Sequence, residues 1–202
     1  MALWLADQPL VLASKSASRR ALLKGAGIPI EVVVADIDER GIEAKADLAG
    51  PGDVAALLAR EKAIAVSAQR PGRLVLGADQ TLALGERRFS KPVDRAAARE
   101  QLKVLRGQSH ALHSAVAIVH DGKPVFEDCA VARLTMRAFS DAFLDSYLDT
   151  AGNAVTASVG AYQVESVGVQ LFERIEGDHS TILGLPLLPV LGALRREGVL
   201  SG

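Results

Sequence analysis

Apolar residues along the chain fall into two rhythms, compact runs of strand length and stretches with helical spacing, and their order outlines a fold. PLVLAS, from Pro9 to Ser14, is a compact run ending in small hydroxyl residues; RRALLKGAG behind it has helical spacing closed by Gly25 and Gly27. IEVVVAD predicts a β-branched strand ending at Asp36, and IDERGIEAKADLAGPG reads as a polar, Gly-containing connection. From Pro51 to about Gln69 the pattern predicts a strong helix, with Pro51 and Asp53 at its start and Leu57, Leu58, Ile64 and Ala65 on its apolar face. LVLGADQTLAL is a second buried run, interrupted by Asp79 and Gln80, and GERR after it predicts a turn into a further strand. Asp94 is placed to cap the helix DRAAAREQLKVLRG, which ends at Gly107. A long hairpin follows, SHALHSAVAIV and VFEDCAVARLTM around the turn HDGK. Ser140 caps SDAFLDSYLDTAG, and LPLLPVLGALRREG makes a last helix, with Pro186 near its start and Gly198 beyond its end.

Helices and strands alternate first and give way to antiparallel hairpins later, so the expected fold is α/β with a mixed central sheet flanked by helices. The 202 residues suit one domain, 1–202, or two lobes around a cleft that divide near residues 107 to 140. Hydrophobic residues at 49% and charged residues at 23% are the balance of a folded chain rather than a disordered one. A formal net charge of -1 provides no global field toward nucleic acid or an anionic membrane, so any anion binding must be local. The one cysteine, Cys129, lies in FEDCAVARL, which alternates like a half-buried strand, and reads as a core thiol. The N-terminus has no basic leader and carries Asp7, and no apolar run approaches the roughly 20 residues of a membrane span, so the expected address is the cytoplasm.

Three groups of residues could carry chemistry. LASKSASRR, Leu12 to Arg20, releases a strand into a Ser-rich loop and a helix start; backbone N–H groups, the helix dipole, the hydroxyls of Ser14, Ser16 and Ser18 and a guanidinium together suit a phosphate. Serines also cap helices, but arginines are unfavourable at a helix N-terminus, which argues against a purely structural placement. Asp79, a carboxylate inside an apolar run, needs a divalent cation or a basic residue as partner. Asp36, Asp38 and Glu39 in ADIDE, Lys62 in REKA and Lys91 in SKP are ordinary surface charges taken singly. Other chemistries drop out for lack of their motifs: no GxxxxGK[ST] loop, no GxGxxG and no GxSxG elbow. His110, His113, His120 and His179 lack HExxH spacing, and His110 and His113 fall on opposite faces of a strand, which argues against zinc.

Taken together, LASKSASRRALL, ADIDE, LAREKA, LGADQT, SKPVDRAAAREQLKVLRGQSH, VGAYQVESVG, LFERIEGDHSTILGLPL and LRREG resemble the Maf family of nucleotide pyrophosphatases nearly end to end. The resemblance implies a two-lobed mixed α/β fold related in shape to the inosine triphosphatases, a nucleoside triphosphate substrate and a possible homodimer. It implies phosphate binding by Ser14, Ser16 and Arg19, and catalytic roles for Asp79, Glu39, Lys62 and Lys91. Ala17 stands where the family usually has proline.

Three specificity positions read Ser18, Gln80 and Glu165. The family's dTTP and UTP branch is expected to carry Arg, Thr and Gln there. Gln80, Glu165 and the extra Arg20 are instead similar to the branch acting on 7-methylguanosine triphosphate, whereas Ser18 departs from the aromatic that branch can carry. The implied mechanism has Asp79 and Glu39 holding Mg or Mn, water attacking the α phosphorus, and Arg19, Lys62 and Lys91 meeting the charge of the leaving pyrophosphate. Asp79 serves there as metal ligand, general base or both. The rival readings are a dTTP/UTP pyrophosphatase and a non-catalytic nucleotide-sensing regulator of growth or division.

Overall fold

The computed structural model describes residues 2–202. Its elements, in chain order, are β1 (Leu10–Leu12), α1 (Ala17–Gly25), β2 (Ile30–Val32), α2 (Glu39–Ala46), α3 (Pro51–Ser67), β3 (Leu74–Leu84), β4 (Arg87–Phe89) and α4 (Arg95–Leu105). They continue with β5 (Ser109–His120), β6 (Lys123–Met136), α5 (Asp141–Ala151), β7 (Phe172–Glu176), α6 (His179–Ile182) and α7 (Leu187–Arg196). The strands form one seven-stranded sheet in the order β2-β1-β3-β5-β6-β7, with β4 paired to β3. β1 runs parallel to β2 and β3, whereas β4 is antiparallel to β3 and β7 to β6. The expected mixed α/β sheet is therefore present.

The predicted caps hold. Asp94 accepts from the Ala97 amide and Ser140 from the Phe143 amide, so α4 and α5 begin where the sequence places them. The β5–β6 hairpin closes through Asp121 and Gly122 at φ 47° and 74°, the left-handed pair that matches the twist of flanking strands.

Four expectations need correction. The polar stretch after Asp36 contains α2, capped by the Asp38 carboxylate on the Gly41 amide; it buries no residue, so it lacks the apolar stripe by which a helix is recognised in sequence. The strand expected through Asp36 stops at Val32, on an edge of the sheet where no strand among the described residues pairs its outer side. Cys129 is exposed rather than in the core, because β6 turns its odd-numbered positions outward there. The apolar face of α3 is Val54, Ala55, Leu58, Ala59, Ala63 and Val66, and Leu57, Ile64 and Ala65 are only partly buried.

The chain divides into two compact units: residues 1–80, 114–130 and 179–202, and residues 81–113 and 131–178. These boundaries fall within β3, β5 and β6 and between β7 and α6. In the second unit α4, α5 and short 3₁₀ turns between Gly152 and Leu171 pack together, with Leu102, Leu105, Leu144, Leu148 and Leu171 buried. His110 belongs to that core: its Nε2 lies 2.8 Å from the Tyr162 hydroxyl, and burial pushes its pKa down to about 4, so it is neutral at pH 7.

The first unit has a core on each side of the sheet. Leu10, Leu12, Leu76, Val116 and Ile118 face Leu23 of α1 and Val190 and Leu194 of α7. The alternate positions, Val11, Ala13, Val75, Ala115 and Ala117, face Ala55, Ala59, Ala63 and Val66 of α3. This second layer is built from alanine and valine because α3 lies close on the sheet. A Cβ on Gly77 would overlap the Ala59 carbonyl oxygen and come within 2.9 Å of the Ala63 Cβ. The small residues on α3 and the glycine on β3 thus set one distance, and that distance governs what Lys62 reaches.

Gly77→Ala is accordingly expected to cost about 1 to 3 kcal/mol, the usual range for overpacking. Urea unfolding would register it as a lower midpoint with an unchanged slope; a parental midpoint would mean that α3 does not press on β3 at this point.

Candidate functional site

Lys62 projects from α3 beside the close contact at Gly77, and its ammonium meets two carboxylates. Nζ lies 2.6 Å from Asp79 Oδ1 on β3 and 2.9 Å from Glu39 Oε1 at the first turn of α2. The Lys62 and Asp79 side chains are 13% and 14% exposed and Glu39 is 49% exposed, so the Asp79 contact is well removed from water while Glu39 borders it. Each partner arrives by a local rule. Asp79 points to the α3 side because it follows Val75 and Gly77 by strand alternation, and Glu39 is presented at a helix start, where a carboxylate is favoured.

On the other side of the sheet the loop after β1 is tied down by its own side chains. Ser16 caps α1, its Oγ accepting from the Arg19 amide at 3.4 Å, and Ser14 Oγ accepts from the Ser16 amide at 3.3 Å. The Arg19 side chain crosses back into the unit: Nε donates to the Gly184 carbonyl at 2.8 Å, and Nη1 donates to the Ala78 carbonyl at 2.8 Å and to Ser14 Oγ at 3.1 Å. Gly184, at φ 89°, leaves room for this; a Cβ there would sit 3.3 Å from both Nε and Nη2. Burial lowers the Arg19 pKa, and the nearby Asp79 and Glu39 carboxylates oppose that; a guanidinium so placed remains charged at any pH at which the protein folds.

Burial lifts the Asp79 carboxyl above its ordinary range; Lys62 and then Arg19 pull it down, and Glu39 adds to the rise. A raised carboxyl pKa means that the folded state holds its proton more tightly than the unfolded chain. The associated stability is complete below the ordinary carboxyl pKa and is lost as pH rises through the folded value. At neutral pH the charge on Asp79 therefore costs stability, which points to retention for chemistry rather than for folding.

Six of the sequence-predicted residues, Ser14, Ser16, Arg19, Glu39, Lys62 and Asp79, thus meet in the first unit through direct bonds or charge interactions. Ser18 lies on the first turn of α1. Gln80 is in the same unit, but strand alternation sends its side chain to the face opposite Asp79, where Nε2 donates to Ser114 Oγ and to the Thr181 and Ile182 carbonyls. Lys91 and Glu165 belong to the second unit, Lys91 exposed between β4 and α4 and Glu165 exposed in a turn after Tyr162. Sequence reading missed Gly77, Ser114 and the carbonyls of 181, 182 and 184. Only Ser114, a hydroxyl in an apolar strand, leaves a signal, and it is as common in structural serines.

Among the described residues no three His, Cys, Asp or Glu side chains group to hold a metal ion. Two convergent carboxylates whose common position already attracts a cation fit a small hard ion that keeps water and phosphate oxygens in the rest of its shell. Among the described residues no helix is long and apolar enough to cross a membrane.

A family model described as Maf-like protein matches residues 9–197. The chain is 61% identical over 201 residues, 100% of both chains, to a nucleoside triphosphate pyrophosphatase of Bradyrhizobium diazoefficiens. It is 51% identical over 195 residues to a 7-methyl-GTP pyrophosphatase of Brucella abortus, covering 96% of this chain and 98% of that protein. Among solved structures, a HAM1 protein from Coxiella burnetii aligns at 19% identity and a TM-score of 0.41 over 64% of this chain and 73% of that chain.

The charge arrangement makes the two partners of Lys62 unequal under substitution. Asp79→Asn leaves one lysine with one carboxylate and is expected to melt at the parental temperature or above it. Lys62→Met leaves two carboxylates facing each other without their cation and is expected to lose roughly 2 kcal/mol or more. Thermal and urea unfolding at pH 7 decide the matter, and a destabilised Asp79→Asn would make Asp79 a structural residue.

Proposed function

The chain belongs to the Maf family and is a nucleoside triphosphate pyrophosphatase, a hydrolase of phosphoanhydrides, and we propose that it cuts 7-methylguanosine triphosphate between the α and β phosphates. The observation that carries the chemistry is the meeting of Asp79 and Glu39 at Lys62. The base assignment draws on the Brucella abortus relative, which is named for this substrate, and on Glu165, the residue expected in that branch.

In the proposed reaction the oxygen of a water molecule bonds to the α phosphorus and its proton passes to Asp79. The bond from the α phosphorus to the bridging oxygen breaks, and pyrophosphate leaves with the electron pair. Burial suits Asp79 to this task, since a carboxylate with a raised pKa is the stronger base. Lys62 and Lys91 offset the charge that develops on the leaving group. Arg19 contributes a fixed positive charge near Asp79, and Ser14 and Ser16, with the start of α1, offer hydroxyls and N–H groups to the phosphate chain. A Mg or Mn ion held by Asp79 and Glu39 would polarise the phosphate oxygens as a Lewis acid.

Glu165 carries the base selectivity in this reading. Its carboxylate accepts from the N1–H and exocyclic amine of guanine, a pair that uracil and thymine lack, and N7 methylation adds a positive charge to the ring.

Pyrophosphate release, measured for 7-methylguanosine triphosphate, GTP, dTTP and UTP with and without Mg, tests the reaction and the base together. The methylated guanine nucleotide is expected to have the highest kcat/KM. Preference for dTTP or UTP would overturn the base assignment, and nucleotide binding without pyrophosphate release would favour the sensing role. Asp79→Asn is expected to lower turnover at least about a hundredfold. In the metal-free parent the Asp79 carboxyl, followed by carboxyl-carbon NMR, should titrate above 3.8, the ordinary carboxyl value that burial raises; titration at or below it would remove burial as the source of its basicity.

Glu165→Gln replaces an acceptor by a donor and is expected to cost the guanine substrate roughly 1 to 3 kcal/mol, moving the ratio of specificity constants toward pyrimidines by about ten- to a hundredfold. An unchanged ratio would remove Glu165 from base recognition.

A further inference from the structure

We propose that Tyr147 is a positioning residue for base selection: its hydroxyl holds the strained peptide at Ala161 and, together with the contact between His110 and Tyr162, fixes the turn that presents Glu165. The inference rests on the reading of Glu165 given above, and it gives a task to buried side chains that the reaction itself leaves unused.

Residues 152 to 171, between α5 and β7, form only short 3₁₀ turns and bends, whose own hydrogen bonds are too few and too poorly aligned to fix a shape. Within them Ala161 takes φ 62°, a left-handed conformation that suits glycine and strains an alanine, directly after Gly160 at φ 80°. Ala161 is also fully buried. A non-glycine residue stays in this region only where its surroundings hold it there, and such residues gather at functional sites.

Two hydroxyls supply that hold. Tyr147, buried on α5, donates to the Ala161 carbonyl at 2.9 Å. The Tyr162 hydroxyl lies 2.8 Å from His110 Nε2 on β5, and its ring meets Phe172 of β7 edge-on, with 4.8 Å between centroids. Burial pushes the Tyr147 hydroxyl up to about 12 and raises Tyr162 as well, so both stay protonated at neutral pH. The packing is equally close: a Cβ on Gly160 would fall 2.6 Å from both Leu82 Cδ1 and the Tyr162 ring. Downstream, the Ser166 amide closes a turn on the Gln163 carbonyl at 3.2 Å with Glu165 inside it, and the Val169 amide bonds to the Ser166 carbonyl at 3.1 Å. A Cβ on Gly168 would meet the Gln163 carbonyl oxygen at 2.5 Å, so the two ends of this turn pack on each other. Glu165 therefore follows within a few residues of a peptide tied to α5 and a side chain tied to β5, and its backbone cannot shift independently of them.

The experiment compares the full chain with Tyr147→Phe, Tyr162→Phe and a double variant that adds Ala161→Gly to Tyr147→Phe, with two readouts. In amide hydrogen exchange, Ala161, Ser166 and Val169 are expected to exchange at least about tenfold faster in Tyr147→Phe, with amides of α3 unchanged. In steady-state kinetics, kcat/KM for 7-methylguanosine triphosphate is expected to fall about tenfold through KM, whereas dTTP and UTP, which lack the pair of donors that Glu165 accepts from, keep theirs within about twofold. Tyr162→Phe should move both readouts in the same direction, and it decides the matter if Tyr147→Phe does not fold. The double variant should return both toward the parent, because glycine holds φ 62° without strain. Parental exchange at the turn would overturn the proposal, as would an unchanged base preference, equal losses on all nucleotides or a glycine that restores nothing. If the parent itself prefers dTTP, or Glu165→Gln leaves its preference unchanged, the reading of Glu165 fails alone, and exchange at the turn still decides the tie.

Discussion

One ammonium shared by two carboxylates sets the terms for the rest of the first unit. Lys62 stands on a helix that could not come this near the sheet without Gly77 opposite Ala59 and Ala63, and its two partners arrive from a strand and from the first turn of a separate helix. The pairing differs from a stabilising surface ion pair. It is mostly withdrawn from water at Asp79, it contains more negative than positive charge, and its buried carboxyl is pushed toward the protonated form. A buried carboxyl pushed toward its protonated form, with a second carboxylate at the edge of the water, suits a cation or a proton arriving with substrate, whereas a structure optimised only for stability would replace it with apolar residues.

The opposite face of the sheet is organised for rigidity. Arg19 spends Nε and Nη1 on protein acceptors, two of them backbone carbonyls far apart in sequence, so it serves as a brace as well as a charge. A guanidinium suits this double task because it remains ionised when buried and its fork of N–H groups has fixed geometry. Asp79 and Gln80 illustrate the division of labour. Neighbours in sequence, they lie on opposite sides of one strand, the first toward the ionic contact and the second into a dry cluster of carbonyls.

The second unit has a different character. Its core gathers α4, α5 and a series of 3₁₀ turns that carry Glu165, and its buried histidine is paired with a tyrosine hydroxyl instead of a charge. Irregular backbone of this kind accommodates sequence change more readily than the β1–α1 loop, where each hydroxyl has a defined acceptor or donor.

The local rules of the sequence determined most of the elements: Asp94 and Ser140 cap helices where they stand, the β5 and β6 runs form a hairpin around Asp121 and Gly122, and Asp79 marks itself as a carboxylate in an apolar strand. These features are legible because capping, turn conformation and strand alternation depend on neighbours within a few residues. The ordered motif blocks likewise sufficed for the family. Tertiary structure alone decided which lysine Asp79 would meet, that a polar stretch would form α2 and deliver Glu39, and that α3 would bury alanines in preference to Leu57 and Ile64. It also decided that Gln80 would be enclosed by Ser114 and the carbonyls of Thr181 and Ile182, more than thirty and about a hundred residues away. The physical reason is common to all of these. Each depends on the distance between two surfaces brought together by the whole core, and no periodicity within one segment encodes how closely another segment will approach it.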